Sequence, residues 1–317
     1  MNTTQFLSIV IPVYNDEDVL DELNRRLIPV AETVAEDFEV IFIDDGSKDK
    51  SWKILVQLQK GNPKLKIIKL ARNFGQSNST AAGLNHAKGD IIVIMDSDLQ
   101  DRPEDIPKLI DSMEENETDM AIVKWISRKD SFSKKFVSRF FHTVSDRITN
   151  LHYEPGLGVF RVIRKNALEQ IKSIPETTGT TLSLMYWAGF EYSIVELQRD
   201  ARYAGASGYN LRKMLKLAAD RIFSYSLFPI RVASYVGLTV GGLSFVFGIL
   251  LILKRLFNEN IPAGWTSTLV LLAFLFGINF FFLGVIGEYL GRIYLESKGR
   301  PKYTISRIID NTTTSKK

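Results

Sequence analysis

Two apolar runs near the carboxyl end, Val232 to Leu253 and Leu269 to Leu290, constrain the fold of this chain more than any other feature. Each is long enough to cross a hydrocarbon core of about 30 Å as a helix. What precedes them is of a different kind: residues 1–208 alternate short apolar strands, acidic clusters and amphipathic stretches, the pattern of a water-soluble α/β domain. The expected organisation is a soluble head at 1–208, an amphipathic juxtamembrane helix at 209–230, a two-helix transmembrane hairpin at 231–291 and a basic tail at 292–317. A mean hydropathy of −0.01 averages over two solvents and describes neither part. Anchoring a catalytic head in this way points to a substrate that lives in the lipid bilayer.

The chain has no cysteine and three scattered histidines, which excludes disulfides and thiolate metal sites and argues against zinc. Any metal is therefore expected to take oxygen ligands. Met1 to Gln5 is polar and uncharged and runs directly into the strand pattern of Phe6 to Val13, without the basic region of a secretory signal. The head is accordingly expected to be cytoplasmic. The net charge of +4 comes from basic residues beside the apolar runs, such as Arg212, Lys213 and Arg231 before the first, and Arg292, Lys298 and Arg300 after the second. The connecting loop carries only Lys254 and Arg255. By the positive-inside rule both termini face the cytoplasm of a plasma (inner) membrane protein with two spans. This placement explains the basicity without nucleic acid as a partner.

Within the head, apolar runs at Leu7 to Val13, Phe38 to Ile43, Leu65 to Leu70, Ile91 to Met95 and Met120 to Trp125 read as strands. Helix-like spacing falls between them, at Glu17 to Ala35, Ser51 to Gln59, Ser77 to Ala87 and Pro103 to Glu115. The alternation predicts an α/β fold with a mostly parallel sheet covered on both faces. Farther on, Ser133 to Asn150 reads as a basic, aromatic helix, Val159 to Ile163 and Tyr192 to Leu197 as strands, and Asn166 to Lys172 and Leu182 to Ala188 as short helices. Tyr209 to Phe228 sets Leu211, Leu215, Ala218 and Ile222 opposite Arg212, Lys213 and Lys216, as in a helix lying in the membrane interface.

In a parallel sheet the ligand crevice opens at the carboxyl ends of the strands. Asn15, Asp44, Asp45, Asp96 and Asp98 all fall at such ends. Asp96-Ser97-Asp98 sets two carboxylates close together, where mutual repulsion raises one pKa unless a cation intervenes. Mg²⁺ or Mn²⁺, which complete their shells with substrate phosphates, resolve that repulsion. Asp44-Asp45-Gly46-Ser47 has two readings: a turn with Asp49 capping the next helix, or a loop in which one carboxylate accepts hydrogen bonds from a nucleobase or ribose while Gly46 allows close backbone approach.

Five segments occur in order: Ser8 to Asn15, Asp44-Asp45-Gly46-Ser47, Arg72-Asn73-Phe74-Gly75, Ala82-Gly83-Leu84 and Asp96 to Asp101. Together they resemble the family-2 glycosyltransferases of GT-A (Rossmann-like) fold. They are especially similar to the polyprenyl-phosphate glycosyltransferases related to dolichol-phosphate mannose synthase and the bactoprenol glucosyltransferases. The resemblance implies inverting transfer of a sugar from a nucleoside-diphosphate sugar to a polyprenyl (undecaprenyl) phosphate. By position, Pro12, Tyr14, Asp16, Ile43 and Asp45 would line the nucleoside pocket, and Asp96 and Asp98 would meet metal and diphosphate, with Ser97 and Gln100 close by.

The second half departs from the family pattern. Gly158-Val159-Phe160-Arg161 stands where relatives commonly have Gly-Asp-Phe-Arg, and Gly205-Ala206-Ser207-Gly208-Tyr209 lacks the lysine of Gly-x-Ser-Lys-Tyr. Loss of the aspartate suits a phosphate acceptor. A sugar hydroxyl must shed a proton as it attacks and gains from a general base, whereas a phosphate monoester with a second pKa near ~6 is already largely dianionic at neutral pH. Arg128, Lys129, Arg199 and Arg202 are the candidates to hold that phosphate, arginine doing so through a bidentate fork.

Two other readings compete with this one. A transferase to a sugar hydroxyl in polysaccharide synthesis would carry Gln-x-x-Arg-Trp, but Gln198-Arg199 is followed by Asp200-Ala201. A non-catalytic nucleotide-sugar-binding membrane scaffold would tolerate the second-half departures but has no need of intact acidic strand ends. His86, His142, Trp125 and Trp187 read as packing or surface residues, and Glu288 as a partner of Arg292. Gly237, Gly241 and Gly248 permit close helix packing within the hairpin or between protomers of a homo-oligomer.

Overall fold

The computed structural model describes residues 5–126, 156–174, 181–198, 226, 228–257 and 264–310. The chain divides into two compact units, one holding the residues up to 208 (except 143–150) together with those from Arg300 onward, the other holding the apolar helices. The basic helix expected at Ser133 to Asn150 and nearly all of the amphipathic helix at Tyr209 to Phe228 lie outside the described residues.

The first unit is built on strands β1 (Leu7–Val13), β2 (Phe38–Asp44), β3 (Leu65–Leu70), β4 (Ile91–Ile94), β5 (Met120–Trp125), β6 (Leu157–Arg164), β7 (Tyr192–Leu197) and β8 (Ile305–Ile309). They form one sheet in the order β7-β5-β6-β4-β1-β2-β3-β8. β6 and β8 run antiparallel to their neighbours, and the remaining pairings are parallel. Every residue of β1 is buried, as a strand covered on both faces requires. Ile9 and Ile11 point into one core layer with Leu20, Leu23 and Leu27 of helix α1 (Leu20–Val34) and Leu109 of α4 (Ile106–Glu115). Val10 points into the other, with Ala82 and Leu84 of α3 (Gln76–His86) and Leu168 of α5 (Lys165–Lys172). Helix α2 (Ser51–Gly61) adds Leu55 to the first layer and α6 (Thr181–Trp187) adds Leu184 to the second.

The elements match the expected pattern with shifts of a few residues at their ends, and Pro103 opens a short 3₁₀ turn ahead of α4. β8 is the addition, since the sequence reading has residues 292–317 only as a basic tail. It is a short edge strand with Arg307 at its centre and mostly exposed side chains. An edge strand needs only one hydrogen-bonded ladder, so its sequence carries little of the alternation that marks a buried one.

In the second unit, α7 (Phe228–Phe257) packs against α8 (Trp265–Ser297). Both are long and apolar enough to cross a membrane, over Phe228–Phe247 and Phe274–Ser297, and only 6% of each of those windows is buried. Leu238, Phe245 and Phe280 are among the exposed side chains, an apolar surface far larger than a soluble unit leaves in water. A Cβ built on Gly237 would touch Phe282 at 3.8 Å, which places that glycine at the contact of the two helices. Glu288 and Arg292 pair at 2.8 Å, as their spacing suggests.

Gly83 decides how closely α3 lies on the sheet. A Cβ there would fall 2.4 Å from Val10 Cγ1 and 2.6 Å from Ile43 Cδ1, well inside contact distance. Gly83→Ala should therefore overpack the second layer and cost about 1–3 kcal/mol, read as a lower melting temperature of the detergent-solubilised protein with its α-helix content retained.

Candidate active site

The exit loops of the parallel strands are tied to one another before any ligand arrives. After β1, Asn15 adopts φ 55°, a left-handed conformation that asparagine tolerates better than most residues. In that position its N–H donates to Ser47 Oγ at 3.1 Å and its Oδ1 accepts the Lys48 N–H at 2.8 Å. Asp16 donates its N–H to Ser51 Oγ at 3.0 Å, and Glu17 and Lys50 make similar bonds across the same gap. The β1 and β2 loops thus form one unit.

Gly46, at φ 70°, brings the β2 loop against the β3 loop, where a Cβ would lie 2.7 Å from both Arg72 C and Asn73 N. That close approach lets Asp45 accept the N–H groups of Phe74 at 2.7 Å and Gly75 at 2.8 Å, with the Ser79 hydroxyl also bonding to it. Asp45 is 2% exposed, and burial pushes its carboxyl above the usual value, opposed by these hydrogen bonds. After β4, the Asp96 N–H donates to Asp101 Oδ2 at 3.0 Å, the Gln76 side-chain amide donates to Asp96 Oδ1, and Leu99, at φ 58°, buries its side chain in the core. The Ser97 hydroxyl donates to Asp16 Oδ2 at 2.6 Å, joining the β4 loop to the β1 loop.

These loops enclose a cleft of 470 Å³. Of the residues singled out from sequence, Pro12, Tyr14, Asp16, Asp45, Asp96, Ser97 and Asp98 line it. Ile43, Asp44 and Gln100 do not. Ile43 is fully buried beneath α3, because alternation along β2 turns its side chain into the core. Asp44 is also fully buried and points the opposite way from Asp45, accepting the Ser47 N–H at 3.0 Å and standing 3.9 Å from Lys69 Nζ. Gln100 donates its backbone N–H to Asp98 Oδ1 at 3.1 Å and shapes the loop rather than the cleft wall. Arg128, Lys129, Arg199 and Arg202 lie outside the described residues.

Gln76 and Ser79 line the cleft without having been singled out from sequence. The signal for them was Gly75, which at φ 90° starts α3 and sets that helix's first turn over the cleft. Val159 packs at the edge of the second core layer. Arg161, opposite Ile94 in the sheet, is 3% exposed and donates back to the carbonyls of Val159 at 3.0 Å and Gly158 at 2.7 Å.

Residues 8–172 match the family described as Glycosyl transferase family 2. The chain belongs to glycosyl transferase family 2. It is 37% identical over 300 residues to the bactoprenol glucosyl transferase of Shigella phage SfV, covering 94% of this chain and 97% of that one. It is 32% identical over 312 residues to an undecaprenyl-phosphate 4-deoxy-4-formamido-L-arabinose transferase of Edwardsiella ictaluri (strain 93-146), covering 97% and 95%. Among solved structures it resembles a glucosyl-3-phosphoglycerate synthase from Mycobacterium tuberculosis with Mn²⁺, UDP-glucose and phosphoglyceric acid, with TM-score 0.52, 16% identity and 69% and 78% of the two chains covered. The head of this glycosyltransferase thus has a GT-A-like fold.

The cleft of the glycosyltransferase is strongly acidic. Asp16, Asp18, Asp45, Asp96 and Asp98 line it, and no lysine or arginine does so among the described residues. Among the described residues, no group of three or more His, Asp or Glu is arranged to hold a metal. Two carboxylates on one loop, all-oxygen and incomplete as a cage, fit a hard divalent ion that takes its remaining ligands from water and phosphate.

Asp16 is held above its ordinary value by burial first, with the charges of Asp98 and Asp49 adding and its hydrogen bonds to Ser97 and Tyr14 opposing. A carboxyl raised on folding binds its proton more tightly in the native state. Its contribution to stability is therefore complete below the unfolded value of 3.8 and is lost as pH rises through the higher folded value. Asp16→Asn should flatten the fall in melting temperature as pH rises above 3.8; an unchanged slope would show that another group carries it.

Proposed function

We infer that this glycosyltransferase is anchored in a membrane and transfers a sugar, with inversion, from a nucleoside-diphosphate sugar to a polyprenyl phosphate. The observation that carries this reading is the likeness to two enzymes named for bactoprenol and undecaprenyl phosphate, which extends over at least 94% of the chain and so includes the helical hairpin. In this reading α7 and α8 are two spans, with the head and both termini on the cytoplasmic side, as the basic flanks favour.

The donor occupies the 470 Å³ cleft. Tyr14, Asp16, Asp45 and the α3 turn, which line it, contact the nucleoside. Asp96 and Asp98 hold Mg²⁺ or Mn²⁺, which, when bound, offsets the negative charge that builds on the departing nucleoside diphosphate. Gln76 keeps Asp96 turned into the cleft and Ser97 keeps the loop closed on Asp16, so the carboxylates are preorganised before substrate enters. The Mn²⁺ and UDP-glucose of the structural relative support this arrangement.

For the acceptor, Arg128, Lys129, Arg199 and Arg202 bind the lipid phosphate and orient one of its oxygens at the anomeric carbon. That oxygen forms the new bond as the bond to the nucleoside diphosphate breaks on the opposite face. Val159 in place of a carboxylate is compatible with this chemistry, because a phosphate dianion arrives already deprotonated. A sugar hydroxyl acceptor would lack a base at that position.

Membranes containing the protein, incubated with undecaprenyl phosphate and a panel of labelled UDP- and GDP-sugars, should yield one labelled lipid. Asp98→Ala should lower its rate by at least about 10²-fold, and EDTA should stop it until Mg²⁺ or Mn²⁺ is restored. Label in a soluble glycan alone would assign a hydroxyl acceptor, and nucleotide-sugar binding with no product from any donor would make the protein a scaffold.

A further inference from the structure

The chain that follows the hairpin returns to the sheet of the head, and it does so beside the cleft wall. β8 pairs with β3, placing Ile309 opposite Ile67 and Arg307 opposite Lys69. Just before β8, the Thr304 carbonyl accepts the Ala71 N–H at 2.9 Å, and the Asn85 side-chain amide donates to the Tyr303 hydroxyl at 2.7 Å. Tyr303 and Ile305 pack against the second core layer, as Phe74 does.

Those contacts fall on both sides of one turn. Ala71 starts the turn whose Phe74 and Gly75 N–H groups bind Asp45. Asn85 lies on α3, whose first residue, Gln76, donates to Asp96. Ala71, Arg72 and Asn73 are all exposed, so burial does not hold the turn in place and its hydrogen bonds must.

We propose that Tyr303 and the strand it introduces are a positioning element of the donor site. The segment holds Ala71 through its backbone and α3 through Asn85, and the turn between them presents Asn73 and Gly75 to the cleft. Tyr303 touches no substrate. Its effect reaches the nucleoside diphosphate through Asp45 and Gln76. This inference rests on the reading of the cleft as the nucleoside-diphosphate site.

The test uses the full chain in detergent, with UDP and GDP as probes in the presence of Mg²⁺ or Mn²⁺. Calorimetry on the unaltered protein, Tyr303→Ala and Tyr303→Phe should show roughly tenfold weaker binding of the preferred nucleotide for the alanine variant and about threefold weaker binding for phenylalanine, which keeps the packing but loses the hydroxyl that Asn85 meets. Donor KM should rise in parallel, with kcat falling as well because Gln76 orients Asp96, while the KM for the lipid phosphate stays within about twofold. Should Tyr303→Ala not fold, Asn85→Ala, at an exposed helix position, carries the same expectation at about threefold. Unchanged nucleotide affinity with only a lower melting temperature overturns this inference and leaves the reading of the cleft intact. Absence of nucleotide binding by the unaltered protein overturns both.

Discussion

The Asp45 carboxylate, closed on two backbone N–H groups of the next strand's exit turn, is the contact on which the cleft depends. It ties the β2 loop to the β3 loop across the close approach at Gly46. The position of the turn sets the start of α3, the start of α3 sets Gln76, and Gln76 orients Asp96. A carboxylate that accepts two short N–H bonds is strongly held, and burial makes losing those bonds costly. Asp45 therefore builds the wall of the cleft as well as facing it.

The same logic explains why two adjacent aspartates have different work. Along β2 successive side chains point to opposite faces, so Asp44 goes down toward Lys69 and Asp45 goes up toward the cleft. Among the described residues Asp44 Oδ2 has no hydrogen-bond partner, and the ion pair with Lys69 at 3.9 Å partly compensates it. The paired acid at the strand end is thus one structural group and one site group, separated by a single step of the pleat.

Much of this was legible in the sequence because the strands are continuous apolar runs and the acids sit at their ends. β1, β3 and β5 come out at the residues their composition indicates. Two residues stand off the cleft for different reasons: Ile43 and Gln100 are within a residue or two of cleft groups in the chain, but the pleat buries one and a turn carries the other away. Gln76 and Tyr303 were not legible, since each matters through a partner far off in sequence, Asp96 and Asn85. β8 was hidden by its charge and shortness, as edge strands commonly are.

The charge of the cleft has a thermodynamic consequence for how a glycosyltransferase of this build takes its substrate. Five aspartates line the cavity and no basic side chain does so among the described residues, so a diphosphate entering alone is repelled by the ionised carboxylates. A divalent cation entering alone meets the attraction of the same carboxylates but an incomplete ligand set. Each therefore binds better when the other is present, and because coupling free energies are reciprocal the gain in nucleotide affinity from the cation equals the gain in cation affinity from the nucleotide. In the function proposed above, the acidic cleft binds the two together, and the loops that preorganise Asp96 and Asp98 set how strong that coupling is.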